Sequence, residues 1–175
     1  RPQLLDRFAF SVQIEGLEDP EDRVAGIERR VAFEVDPDGF RTQWADRERE
    51  LSKRISRARD AVNAVRYSRR DLLSIAGLVS SLNVDGHRAD LVILRGAQAH
   101  AALQGRDQVT DEDIVLAAEL ALPHRIRGRM FQDTSLAAGD LSERLEEVQS
   151  EMGVSDMGER EEETQETAPT GKKKP

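Results

Sequence analysis

Ala89-Asp90-Leu91-Val92-Ile93-Leu94-Arg95-Gly96-Ala97-Gln98-Ala99-His100-Ala101-Ala102-Leu103 decides how this chain folds. A helix at a protein surface carries its apolar residues on one stripe, whereas these run nearly all the way round, which suits a helix packed on several sides. The stretch therefore belongs at the centre of a helical subdomain. Its neighbours support this. Ser68 to Asp71 reads as a capping box opening a helix through about Leu82, with Leu72, Ile75, Ala76 and Val79 on one face. Thr110 to Asp113 repeats that pattern and opens a helix carrying Ile114, Ala117, Ala118 and Ala121, which Pro123 stops.

Toward the N-terminus, Asp19-Pro20-Glu21-Asp22 is a helix start with a capping aspartate, proline at the first helical position and acids at the positive end of the dipole; Val24, Ile27 and Val31 then share a face. Asp36-Pro37 restarts the chain as a long helix on which Phe40, Trp44, Leu51, Ile55 and Val62 recur at steps of four and seven, a narrow stripe expected to be buried. Arg41, Arg47, Arg49, Lys53, Arg54, Arg57 and Arg59 crowd the same helix, but Asp46, Glu48, Glu50 and Asp60 interleave with them. That mixture reads as a solvated face laced with ion pairs rather than a nucleic-acid track. Phe8 to Glu15 alternates apolar and polar residues with the period of a half-buried strand, which would need partner strands preceding Arg1. Beyond the helices, Leu141, Leu145 and Val148 support one more amphipathic segment. Glu159 to Pro175 is too poor in apolar groups to offset chain entropy, so a disordered acidic tail or linker is expected there.

The composition fits a helical, well-solvated chain. Of 175 residues, 38% are hydrophobic, 34% charged and 4% aromatic, and the net charge of -8 makes nucleic acid an unexpected partner. Absence of cysteine excludes disulfides, thiolate metal sites and cysteine nucleophiles, and it is compatible with a cytoplasmic location. No apolar run approaches the roughly 20 residues that cross a bilayer, so no membrane partner is expected.

Two arginines stand out as candidate functional residues. Arg7, next to Asp6, and Arg88, between Asp85 and Asp90, each lie at the edge of a structured element. A guanidinium there is suited to meet phosphate oxygens in a fixed fork, although an ordinary surface ion pair with the adjacent carboxylates is the alternative. His87, His100 and His124 lie far apart in sequence, and magnesium prefers oxygen ligands, so no metal site is expected from them.

Leu4-Leu5-Asp6-Arg7-Phe8, then His87-Arg88-Ala89-Asp90 at the head of the apolar helix, Gly105-Arg106 with Val109-Thr110 and Glu112-Asp113, and Leu122-Pro123-His124-Arg125 with Arg127 and Phe131 together resemble the C-terminal half of the AAA+ subunit of magnesium chelatase. The resemblance implies a mainly α fold: residues 1–16 as the distal end of a nucleotide-binding α/β core including its last strand, 17–131 as a helical lid, and 132–175 as a weakly structured helix with an acidic linker or tail. It implies that Arg7 is an arginine finger acting in trans on ATP held by a neighbouring subunit, with Asp6 supporting the interface, and that Arg88 is the sensor-2 arginine meeting the γ-phosphate of its own subunit's ATP. A supplied arginine of that kind is worth on the order of 10³ to 10⁵ in rate. ATP and Mg2+ are the implied cofactors. The implied partners are a homo-oligomeric ring, expected to be a hexamer, a D-type subunit or domain with an integrin-like fold, and a large porphyrin-binding subunit.

The sequence contains no Gly-x-x-x-x-Gly-Lys-Ser/Thr loop and no strand ending in metal-binding acids, so these residues are expected to work as part of an intact ATPase and not to hydrolyse ATP alone. The implied task is metal insertion into a tetrapyrrole by partner subunits. A MoxR-type chaperone or a cobalt-chelatase ATPase is the alternative that keeps the motor. A non-enzymatic helical interaction module built on the Arg41 to Arg59 helix is the alternative outside it.

Overall fold

The computed structural model describes residues 7–14, 16–82, 84, 87–126 and 138–153. Six α-helices follow one another among them: α1 (Pro20–Val35), α2 (Pro37–Ala61), α3 (Arg69–Ser81), α4 (Arg88–Leu103), α5 (Asp111–Ala121) and α6 (Ala138–Glu151), with a short 3-10 turn, Val62–Ala64, after α2. The mainly helical reading holds.

The helix starts fall where the local chemistry places them. Asp19 and Asp36 cap α1 and α2 by accepting from the backbone N–H groups of Glu21 and Gly39, at 2.7 and 3.0 Å. Reciprocal capping boxes open α3 (Ser68 with Asp71) and α5 (Thr110 with Asp113). At the far end of α4, Gly105 adopts φ 75°, which lets the Arg106 N–H reach the Ala101 carbonyl at 2.8 Å and the Gly105 N–H reach Ala102 at 3.0 Å. That is a Schellman stop, and a side chain at position 105 would be strained in it.

α4 is the central helix. Ala89, Ile93, Leu94, Ala97, Gln98, Ala101 and Ala102 are all buried on it, against α5, the end of α2, and α3. Ile114, Ala117, Ala118 and Ala121 of α5 are buried as their spacing predicts. On α3 the buried face is Asp71, Ser74, Ile75, Leu78 and Val79, while Leu72 and Ala76 lie outside it. The buried face is shifted relative to the sequence reading: Ser74 accepts from Gln149 in a buried hydrogen bond at 3.1 Å and Asp71 closes the capping box with Ser68, polar partners that an apolar count does not register.

Three parts depart from expectation. The stripe on α2 is not buried: Leu51 and Ile55 are 50% and 44% exposed, and neither α1 nor α2 has a buried residue. These two helices form a hairpin that meets the bundle through the end of α2, where Ala58 and Val62 pack on the core and Arg54 donates to the Leu103 carbonyl at 3.0 Å. Within the hairpin, Phe33 meets Phe40 edge to face at 5.8 Å, and Arg29 and Arg47 lie 5.6 and 4.8 Å from the Trp44 ring centre. The Arg41–Asp38 and Arg49–Asp46 pairs on its surface are the expected ion-pair lacing.

Second, residues 8–14, the described part of the period-two segment, form no strand. Its described residues run as irregular chain along the bundle, because a strand requires a neighbouring strand and none is assigned among the described residues. Third, α6 shares the core: Leu141 and Leu145 are buried in it, and Arg70, Asp111, Gln149 and Ser74 join α3, α5 and α6 through hydrogen bonds of 2.8 to 3.1 Å. The sequence reading places this helix beyond the lid, whereas the structure packs it against α3 and α5. The acidic tail from Glu159 lies outside the described residues.

Candidate functional site

The end of α5 builds the site. Leu122 is fully buried and fixes the last turn, and Pro123 cannot continue the helix. The chain turns, with the Arg125 and Ile126 N–H groups donating to the Leu122 carbonyl at 2.8 and 3.2 Å. His124 and Arg125 are thereby turned toward the N-terminal segment.

Arg125 donates to the Phe8 carbonyl at 2.7 Å and to the Ala9 carbonyl at 2.9 Å, and also to Ala121 at the end of its own helix. A cation beside the open carbonyls of a helix C-terminus is favourably placed. His124 has Nε2 3.0 Å from the Phe8 carbonyl and Nδ1 3.0 Å from the Ser11 hydroxyl. A carbonyl only accepts, so the ring donates from Nε2; in the neutral ring Nδ1 then accepts from Ser11. The Ser11 N–H donates to the Leu120 carbonyl at 2.9 Å, and the Phe10 ring lies over Gly96, in the space a side chain there would fill.

Arg7 directly precedes this fastened stretch, and its side chain is exposed. Asp6, expected to support it, lies outside the described residues, as does Asp85. Arg88 is the first residue of α4 and is exposed as well; His87 stands at the N-cap without a side-chain cap bond. Two helical turns, about 12 Å, separate Arg88 from Gly96, where Phe10 packs. One helix thus carries a candidate arginine at its head and takes up the other candidate's segment at its middle.

A second polar cluster holds α4 to α5. Asp113 is fully buried and accepts from Arg106 through two bonds of 2.6 Å, from the Thr110 N–H at 2.9 Å and from its hydroxyl at 3.0 Å, while His100 Nδ1 lies 2.6 Å away. Burial pushes the Asp113 carboxyl up, but the bonds from Arg106, Thr110 and His100 outweigh it and leave the group below its ordinary value. The same pairing raises Arg106. The Schellman turn at Gly105 is what delivers Arg106 to this carboxylate.

The three histidines are therefore in unrelated places: an N-cap, the Asp113 cluster and the Arg125 turn. No group of three His, Cys, Asp or Glu residues arranged to hold a metal occurs among the described residues. No helix among them is long and apolar enough to cross a membrane. Sequence reasoning singled out Leu122-Pro123-His124-Arg125 only as a family string and gave His124, Arg125 and Ser11 no role. The available signal was two polar side chains placed directly after a proline helix stop.

Residues 73–157, which run from α3 through α6, match the AAA lid domain family. The chain is 47% identical over 145 residues to an uncharacterized protein of Mycobacterium tuberculosis, covering 83% of this chain and 23% of that protein. It is 38% identical over 151 residues to a magnesium-chelatase subunit ChlI homolog of Methanocaldococcus jannaschii, and 42% identical over 127 residues to the chloroplastic subunit ChlI-2 of Arabidopsis thaliana. Those matches cover 86% and 73% of this chain, and 41% and 30% of the relatives, so the chain spans less than half the length of each. The chain belongs to the magnesium-chelatase AAA+ family, of which it is the C-terminal AAA+ region.

Proposed function

We propose that this region is the lid and arginine-finger part of a AAA+ ATPase ring that couples ATP hydrolysis to metal insertion into a tetrapyrrole by partner subunits. The observation that carries the reading is the display of two exposed arginines on one packed unit: Arg88 at the head of α4 and Arg7 at the tip of the segment fastened beside it. In this reading Arg88 closes with the lid over the nucleotide of its own subunit. Arg7 reaches the nucleotide of the next one, supported by Asp6 at the interface.

Bound ATP with Mg2+ supplies the phosphoryl group whose developing negative charge the two guanidiniums meet. Both side chains suit that task, since a guanidinium presents a planar fork of donors to phosphate oxygens and neither arginine is buried. The phosphate loop and acidic metal ligands are not in these 175 residues, and the proposal places them elsewhere in the intact protein. The working assembly is a homo-oligomeric ring, proposed as a hexamer in the cytoplasm, with a D-type integrin-like partner and a large porphyrin-binding subunit.

The test is complementation in the full-length protein. Arg7→Ala is expected to abolish hydrolysis while retaining nucleotide binding, and mixing it with a phosphate-loop lysine variant should restore part of the activity, because some interfaces then pair an intact finger with an intact pocket. Mixed rings that assemble and stay inactive would overturn the action in trans.

A further inference from the structure

We propose that His124 and Arg125 are positioning residues that fasten the Arg7 segment to the lid, so that Arg7 moves with α4 and α5 as one piece. The inference rests on the reading of Arg7 given above and extends it from a residue that acts to the device that aims it.

Three observations carry it. The described residues of the segment form no helix or strand, yet within four residues the Phe8 and Ala9 carbonyls, Ser11 hydroxyl and Ser11 N–H all find partners on the turn after α5 or on its last residues. Arg125 spans two successive carbonyls with one planar guanidinium, which fixes direction as well as distance. The Phe10 ring occupies the gap left by Gly96, where an added Cβ would lie 2.9 Å from Phe10 Cζ and 2.9 Å from Ala117 Cβ. The segment is therefore seated on α4 and tied to α5.

Because Arg88 begins the helix that holds Phe10, a displacement of α4 imposed at Arg88 is carried to the Arg7 segment. In a ring this links the nucleotide read by Arg88 in one subunit to the finger presented to the next. The physical element that links them is the α4 and α5 pair, joined by the buried Asp113 cluster.

The sequence lacks cysteine, so spin labels can be placed in the full-length protein at Val12→Cys and Leu91→Cys, both exposed, with any cysteines outside this region replaced and labelled subunits diluted in an excess of unlabelled ones so that the distance within a subunit is read. Pulsed electron resonance should give one narrow distance that stays narrow with ADP and with a non-hydrolysable ATP analogue, and that broadens in Arg125→Ala. A broad distribution in the parent protein, a separation that changes with nucleotide, or an unchanged distribution in Arg125→Ala would each overturn the proposal. Phe10→Ala cuts the same attachment from the other side. Since Phe10 is 41% exposed, loss of its ring should broaden the distance while leaving the melting temperature near that of the parent.

Kinetically, Arg125→Ala should lower kcat on the order of tenfold to a hundredfold with KM for ATP within about twofold, because the misplaced group acts at the neighbour's site. Arg125→Lys, which keeps the charge and loses the fork, should fall between. Parallel losses in kcat, KM and thermal stability would reduce Arg125 to a structural residue and overturn the proposal. If Arg7→Ala itself leaves hydrolysis intact, it is the finger reading that fails, and the label distances still decide whether the segment is fastened.

Discussion

Asp113→Ala should cost about 3 kcal/mol of stability. The magnitude follows from what the carboxylate does in the structure. It is wholly buried, it closes the capping box of α5, and it receives the two-pronged pair from Arg106 together with the Thr110 hydroxyl and the contact to His100. Loss of the cap costs about 1 kcal/mol and loss of a charge-assisted bond about 1.5 to 3 kcal/mol. The total stays at the lower end for a broken buried pair, about 3 kcal/mol, because the Arg106 side chain is 33% exposed and regains water when its partner goes. For a cooperative unit of roughly 100 residues that corresponds to a melting temperature lower by about 12 °C or more, read from circular dichroism at 222 nm. A drop below about 4 °C would refute the reasoning. A double-mutant cycle with Arg106→Ala should give a coupling above about 1 kcal/mol. The pH dependence has a definite sign: the folded carboxyl lies below its unfolded value of about 3.9, so its stabilisation is complete above that value and is lost as pH falls through the folded one. The melting-temperature gap between parent and Asp113→Asn should accordingly shrink below about pH 4.

Gly96→Ala should destabilise even though alanine is the better helix former by about 1 kcal/mol, since the added carbon meets Ala117 and Phe10 at 2.9 Å and overpacking costs about 1 to 3 kcal/mol; a rise in melting temperature would show that the segment yields freely. Gly77→Leu should detach α6, because even a Cβ at position 77 crowds Val148 and lies 3.0 Å from the Met152 sulfur, and hydrogen exchange should then quicken in 138–153 ahead of α4 and α5. Arg88→Lys in the full-length protein should stay folded and hydrolyse poorly, as it keeps the charge without the fork; turnover equal to the parent would make Arg88 an ordinary surface residue.

What the sequence discloses here is whatever is decided within one turn of helix. The caps at Asp19, Asp36, Ser68 and Thr110 and the stop at Pro123 are contacts between residues at most four apart, so they are visible in the string itself. The centrality of α4 is visible too, because burial on many sides leaves few polar positions on a helix. Burial of a single stripe is a different matter. Phe40 to Val62 has helical spacing, but spacing tells which residues share a face and not whether another element covers it, and α2 has no buried residue although it meets both α1 and α4. The Phe8 to Glu15 alternation fails for the same reason, since a strand is a property of a pair of chains. The fastening of Arg7 was the least legible part: Arg125 and Phe8 are 117 positions apart, and the link runs from a side chain to backbone carbonyls, which every residue carries and no pattern marks. Such a link leaves a trace only on the donor side, as polar residues held just past a helix stop. His124 and Arg125 show why that trace has meaning: side chains that satisfy the backbone carbonyls of a segment without a strand fix where that segment lies, and under the proposed reading of Arg7 they act on the function without touching the chemistry.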